Sequence, residues 1–469
     1  MRADQMLDAA MHRMMRGILG QMSGRAMIAV YQLAIIPLMI ANWGLSLYGE
    51  WLILTGLATY LAVSGQGLTT ASAMKLIRCI KRGDSDAAQG IIHGSVATLI
   101  VVGALFTVML LGLLYFTNWA NILSLHVMGK REIIGVAAAA ALQIIVISLR
   151  NIPMAISHAA GDYGRPALCS SMMRLLEFSG SAVMLLAKVN PLELACWIAV
   201  ITLLDYAVQM RLACAQSPDL ELRPGFHEWH NLRDLLGPTF GNLGVACAIN
   251  GIGVQGFRLA TAALLGSADV AALAVYTALL RLSEHCANMV LPIIQLELAR
   301  QAEGQEGKDT AIAMIGLSVL CGLMIAAGWL ACLLMVGPQL LSWWTSGEVV
   351  YDPVLLIVLG AAAIFVQLGR PSLTYLIARN LVALAGCVMM ASWSLALAIA
   401  FPLAQLWGLH GVAFAMVSGE LAALIACSYL AGRYLIGNPL HYAAIIFDGR
   451  KSFGLIAGKW MQWRRAPGA

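Results

Sequence analysis

Long apolar runs, parted by short polar breaks, recur along almost the whole chain. A bilayer core takes about 20 apolar residues per helical crossing. Runs of that length fall at 24–45, 50–70, 92–116, 133–157, 167–187 and 192–213, and again at 235–265, 270–296, 311–336, 354–377, 382–403 and 411–434. The pattern predicts an all-α integral membrane protein with about 12 transmembrane helices in two halves. The longest polar connection, AQSPDLELRPGFHEWHNLRDLL, carries Pro218, Pro224 and Gly225 as breakers and reads as a cytoplasmic linker over 216–234. An N-terminal lobe over 1–215 and a C-terminal lobe over 235–434 flank it. At the start, Met6, Ala10 and Met14 sit near helical spacing beside Arg13 and Arg16, which suits a helix lying on the membrane surface. That stretch lacks the compact apolar core and small-residue cleavage site of a signal peptide. The tail over 435–469 interleaves Phe453, Ile456, Trp460 and Trp463 with Lys459, Arg464 and Arg465, the pattern of a second interfacial helix.

Composition agrees. The 469 residues are 60% hydrophobic and 11% charged, with a mean hydropathy of +0.80, against roughly 25% charged residues in soluble domains. No room remains for a large soluble domain. The net charge of +5 is modest and no basic tract stands out, so nucleic acid is not an expected partner. Where the 29 lysines and arginines sit is more telling. Most fall in segments that are cytoplasmic if the chain starts inside: Arg13, Arg16 and Arg25; Lys75, Arg78, Lys81 and Arg82; Arg165; Arg211, Arg223 and Arg233; Arg300 and Lys308; Arg379; and the tail. Only Lys130, Arg131 and Lys188 fall on the other side, which places both termini in the cytoplasm. The ten cysteines are scattered without a C-x-x-C pair and read as small core residues, with no metal or disulfide expected.

Enzyme motifs find little support. GIGVQG (Gly251, Gly253, Gly256) matches G-x-G-x-x-G in letters, but the dinucleotide site needs a strand before it. Here the glycines lie inside an apolar span, where they permit close helix packing or bending. There is no P-loop, H-E-x-x-H or G-x-S-x-G motif. The outer connections LGSAD and AQLWGLH are too short to build a glycosyl-transfer site. No catalytic residue and no cofactor is expected.

What stands out is charge within the spans, where each ionised group costs at least about 2.5–3.5 kcal/mol unless it faces a cavity, a partner or the interface. Arg150, Arg174 and Arg370 lie near cytoplasmic helix ends and Arg258 near an outer one, where snorkelling alone also explains them. Arg281 is near mid-span, followed one turn later by Glu284 and His285; a local Arg281–Glu284 pair is the plain alternative, and Arg174–Glu177 repeats the spacing. Asp205 and Glu420 also sit within spans, where desolvation favours proton uptake, so they are candidates for proton coupling together with Glu284 and Glu177; pairing with an arginine is the alternative. Tyr31, Tyr60, Tyr206, Tyr276, Gln143 and Gln255 could contact sugars or bond between helices. Pro37, Pro153, Pro238, Pro292, Pro371 and Pro402 would kink their helices.

GLSLYGEW (44–51), SGQGLTTAS (64–72) and KRGDSDAAQ (81–89) resemble the first two helices and following cytoplasmic loop of bacterial polysaccharide flippases. These belong to the multidrug/oligosaccharidyl-lipid/polysaccharide (MOP) exporter superfamily. FRLATAALLGSADVAALAVYTALLRL (257–282) is similar to that family's seventh and eighth helices, and GLHGVAFAMVSGE (408–420) to its entry into the twelfth. The resemblance implies a MATE-like fold: two six-helix lobes about a pseudo-two-fold axis, enclosing a cavity that opens alternately to each side. It implies a flippase in the bacterial inner membrane that acts as a monomer. Its substrate would be an undecaprenyl-diphosphate-linked oligosaccharide, carried to the periplasmic leaflet for exopolysaccharide or O-antigen synthesis. A polysaccharide polymerase and co-polymerase would be its partners. Arg258 and Arg281, helped by Arg150, Arg174 and Arg370, would then form a cationic cavity for the diphosphate. One departure is Phe257, which stands where many relatives have an acid, so no ion-coupling role passes to that position. A drug or cation exporter of the superfamily, a peptidoglycan-precursor flippase and, from another class, a membrane polysaccharide polymerase or glycosyltransferase are the alternatives.

Overall fold

The computed structural model describes residues 2–117, 122–160, 162, 164–218, 220, 243–287, 305–379, 381–439 and 441–442. The tail helix expected after 442, most of the 216–234 connection, Pro238 and Pro292 lie outside these residues. Every regular element described is helical: α1 (Arg2–Arg82), α2 (Ser85–Phe116), α3 (Lys130–Ala159), α4 (Gly164–Leu186) and α5 (Pro191–Gln216), then a π-helix (Cys247–Gly256) running into α6 (Phe257–Leu264). There follow α7 (Ser267–Ala287), α8 (Gln305–Trp344), α9 (Pro353–Ala378) and α10 (Val382–Leu435).

Among the described residues, eight helices are long and apolar enough to cross a membrane. Two of them, within α1 and α10, run on through a glycine with non-helical backbone: Gly44 (φ 74°, ψ 172°) and Gly408 (φ 56°, ψ −133°). Only glycine adopts these angles at little cost, so each marks a corner where one sequence-predicted run ends and the next begins. The charge-bearing helices α4 and α7 are not among the eight, although their 23 and 21 residues give a rise of about 30 Å or more, enough for a hydrocarbon core.

The ends of the helices are set by local chemistry. Asp84 caps α2 by accepting from the Ala87 N–H at 3.1 Å. Asp352 caps α9 by accepting from Val354 and Leu355 at 2.9 and 3.0 Å, with Pro353 at the first helical position, where its missing N–H costs nothing. At α5, Pro191 again leads and Glu193 accepts from the Asn190 N–H at 3.2 Å. The segment of G-x-G-x-x-G form is helical throughout, as π-helix, and the residues described just before it, 243–246, are helical as well.

The chain forms two compact units, Met1–Ala274 with Trp343–Val349, and Val275–Ser342 with Val350–Ala469. In the first, α1 packs on α2, α3, α4 and the π-helix, and α3 and α4 pack on α5. Leu76, Ile91, Ile92, Ile152 and Ile156 form one buried cluster there. Glu50, fully buried, accepts from three successive backbone N–H groups, His126, Val127 and Met128, at 2.5, 2.7 and 2.8 Å. In the second unit α9 packs along α10, and Trp329 donates from its indole to the Leu279 carbonyl at 2.8 Å. Leu105, Val108 and Met109 on α2 and Met324 and Met335 on α8 are exposed. Apolar surface of that kind on long helices is suited to lipid contact.

Candidate functional site

Four helices of the first unit converge on a cavity of about 350 Å³. Tyr31 comes from α1, Gln143 and Arg150 from α3, Arg174 and Glu177 from α4, and Thr202 and Asp205 from α5. Six of these seven are residues singled out by the sequence. The helix period explains the shared face of Arg174 and Glu177, three residues apart. It also explains Gln143 and Arg150, seven apart and so two turns along one side of α3.

Charge in the cavity is balanced. Arg150 forms an ion pair through Nη1 with Asp205, the side chains being 15% and 5% exposed. The Asp205 carboxylate also accepts from Ser170 Oγ at 3.2 and 3.4 Å and from Gln209 Nε2 at 3.4 Å. Gln209 is itself held by the Pro166 carbonyl at 3.0 Å and Ser170 Oγ at 3.1 Å. Arg174 and Glu177 lie within electrostatic range of that pair. The two arginines therefore face two carboxylates, and the wall is polar without being net cationic. Arg150 Nε is buried and has no hydrogen-bond partner among the described residues.

A second set of charges lies in the other unit. Arg370 Nη2 approaches Glu284 Oε2 at 3.6 Å, and Glu420 lies within electrostatic range of Glu284, Arg370 and Arg281. The partner found for Glu284 is thus on α9, across a helix interface from the Arg281 of its own helix. The remaining candidates separate. Arg258 Nη1 donates to Gln255 Oε1 at 3.4 Å, one turn back on the π-helix, and Tyr60 stands against the same π-helix at Gly251. Tyr276 is committed to backbone, donating to the Val350 carbonyl at 3.0 Å and accepting from the Asp352 N–H at 2.6 Å. Tyr206, half-buried beside Asp205, is not among the residues lining the cavity. Ser170 was not legible as a site residue; its only sequence signal is its place one turn before Arg174 on the same helix.

The sequence matches no family model and no curated protein sequence. Solved structures do match the fold. One, described as the inward-facing conformation of a multidrug resistance MATE family transporter of the MOP superfamily, aligns with a TM-score of 0.64 at 15% identity, over 89% of this chain and 98% of that one. Another, the lipid II flippase MurJ in an inward closed conformation, aligns with a TM-score of 0.64 at 11% identity, over 95% and 99% of the two chains. The chain shares the fold of these two proteins. A further MOP transporter, from Pyrococcus furiosus and described as having a binding pocket of reversed polarity, aligns with a TM-score of 0.53 at 15% identity, over 92% and 96%. These three solved structures are of two transporters and a flippase; the chain has their fold, with eight described helices long and apolar enough to cross a membrane.

Proposed function

We propose that the protein is a flippase for a lipid-linked oligosaccharide of the undecaprenyl-diphosphate class. It carries this substrate to the periplasmic leaflet of the bacterial inner membrane for exopolysaccharide or O-antigen assembly. Transport is by alternating access, with about 12 crossings and both termini cytoplasmic. The supporting observation is the cavity of the first unit, which sets two guanidinium groups, Arg150 and Arg174, beside Tyr31 and Gln143, with Glu177 and Asp205 as the carboxylates that face them. Guanidinium donors match phosphate oxygens in pairs, and an aromatic face with an amide suits a sugar. Likeness in fold to the lipid II flippase supports a lipid-linked substrate. Arg281 and Arg370 would serve the diphosphate in the second unit.

Reconstitution in liposomes with a fluorescent undecaprenyl-diphosphate oligosaccharide tests this. Wild type is expected to move the probe between leaflets. Arg174→Ala, which leaves the Arg150–Asp205 pair intact, is expected to slow it by about tenfold or more, the loss of a charged contact to the substrate. Wild-type inactivity, or an Arg174→Ala protein as fast as wild type, sinks the reading. Glu177 and Asp205 in the same cavity favour one other reading, an exporter of organic cations, in line with the multidrug transporter fold. That reading predicts proton-driven uptake of a small organic cation in the same liposomes, lost in Glu177→Gln.

A further inference from the structure

Arg150 cannot offer its full edge to a phosphate as it stands. Asp205 holds Nη1, and Nε, which with one Nη group forms the edge that grips two phosphate oxygens, is shut away from solvent without an acceptor among the described residues. Asp205, by contrast, is well supplied. Ser170 Oγ and Gln209 Nε2 remain beside it if the arginine leaves, and Gln209 is braced by the Pro166 carbonyl. A carboxylate is the nearest protein equivalent of a phosphate monoanion in charge and in spacing of its oxygens. We infer that Asp205 is an internal counter-anion for Arg150: it occupies the guanidinium in the empty cavity and gives it up when a diphosphate enters.

This rests on the flippase reading and specifies how its site is regulated. Release follows from charge balance. With Arg150 turned to the diphosphate, Asp205 would be left as a carboxylate buried between two neutral donors, and its charge is removed by one proton from solution. Among the described residues, the other charged or titratable groups facing the pair are Arg174 and Glu177 on α4 and Tyr31 on α1. Glu177 stays near Arg174, so the pair that opens is Arg150–Asp205. Diphosphate binding is therefore coupled to uptake of about one proton, and lower pH favours binding.

The test uses the purified full-length protein in detergent with geranyl diphosphate as probe, by calorimetry in two buffers of different ionisation enthalpy. Wild type is expected to bind with net proton uptake. Asp205→Asn, which keeps hydrogen-bonding capacity but cannot hold the guanidinium as an anion, is expected to bind at least about tenfold tighter and to lose that uptake. Asp205→Glu is expected to restore both wild-type features. The probe's own protonation is common to all three proteins and cancels in the comparison. Wild-type binding without proton uptake overturns the inference even where the variant fails to fold, as does an Asp205→Asn protein with unchanged affinity and uptake. Both results leave the flippase reading standing. A wild type that binds no geranyl diphosphate overturns reading and inference together.

Discussion

Buried charges in this chain answer to different constraints. Glu50 spends both carboxylate oxygens on three backbone N–H groups of the segment that leads into α3. Hydrogen bonds to a charged acceptor contribute about 1.5–3 kcal/mol each. Glu50→Gln, which offers one acceptor and a donor that faces other donors, is expected to lower stability by about 3 kcal/mol, read as a fall in unfolding temperature and in membrane abundance. A variant as stable as wild type would remove the anchoring role. Sequence reading caught some of these charges and missed others for a plain reason. Arg174 and Glu177 share a helix face at three-residue spacing, so their neighbourhood is visible in a linear string. Arg150 and Asp205 are 55 positions apart, and Glu50 is 76–78 positions from its donors. Those partnerships are made by packing, and Glu50 reads from sequence merely as the first residue of a span.

At the scale of the element, the hydrophobic period located most helices but not their irregularities. The glycines of 251–256 signal bending or close packing, while neither the π-helical geometry of the segment nor the approach of Gly56 of α1 to the Gln255 side chain shows in the string. The corners at Gly44 and Gly408 are legible as breaks between apolar runs; that the chain turns there on a single residue is not. At each, an L-residue would be held in a region that costs about 1–3 kcal/mol. Gly44→Ala and Gly408→Ala are therefore each expected to reduce stability by that amount. Gly112→Ala, at a helical position on α2 with nothing near its would-be Cβ, is expected to be neutral or slightly stabilising. Thermal unfolding of the three proteins checks this; equal behaviour would show that the corners tolerate side chains.

For the whole molecule, the sequence conveyed class and fold because hydropathy and the resemblance both act over long stretches. It did not convey how the internal charges divide between two clusters, Arg150, Arg174, Glu177 and Asp205 in one and Arg281, Glu284, Arg370 and Glu420 in the other. The orientation proposed from the distribution of lysine and arginine is open to direct test. In a cysteine-free background, Arg165→Cys is expected to react with an impermeant thiol reagent only from the cytoplasmic side, and Arg131→Cys only from the periplasmic side; the opposite pattern would invert the proposed direction of transport.

The charge balance of the first cavity also bears on which solutes are kept out. A permanently cationic pocket in a cell membrane would fill with whatever anion is commonest, and free phosphate and nucleotides far outnumber any lipid-linked sugar. Two arginines already neutralised by carboxylates of the same chain offer such ions little. Under the proposed function, a ligand must bring enough binding energy of its own, from a lipid tail and a glycan, to dislodge the resident acid. The salt bridge would then act as a filter against small anions.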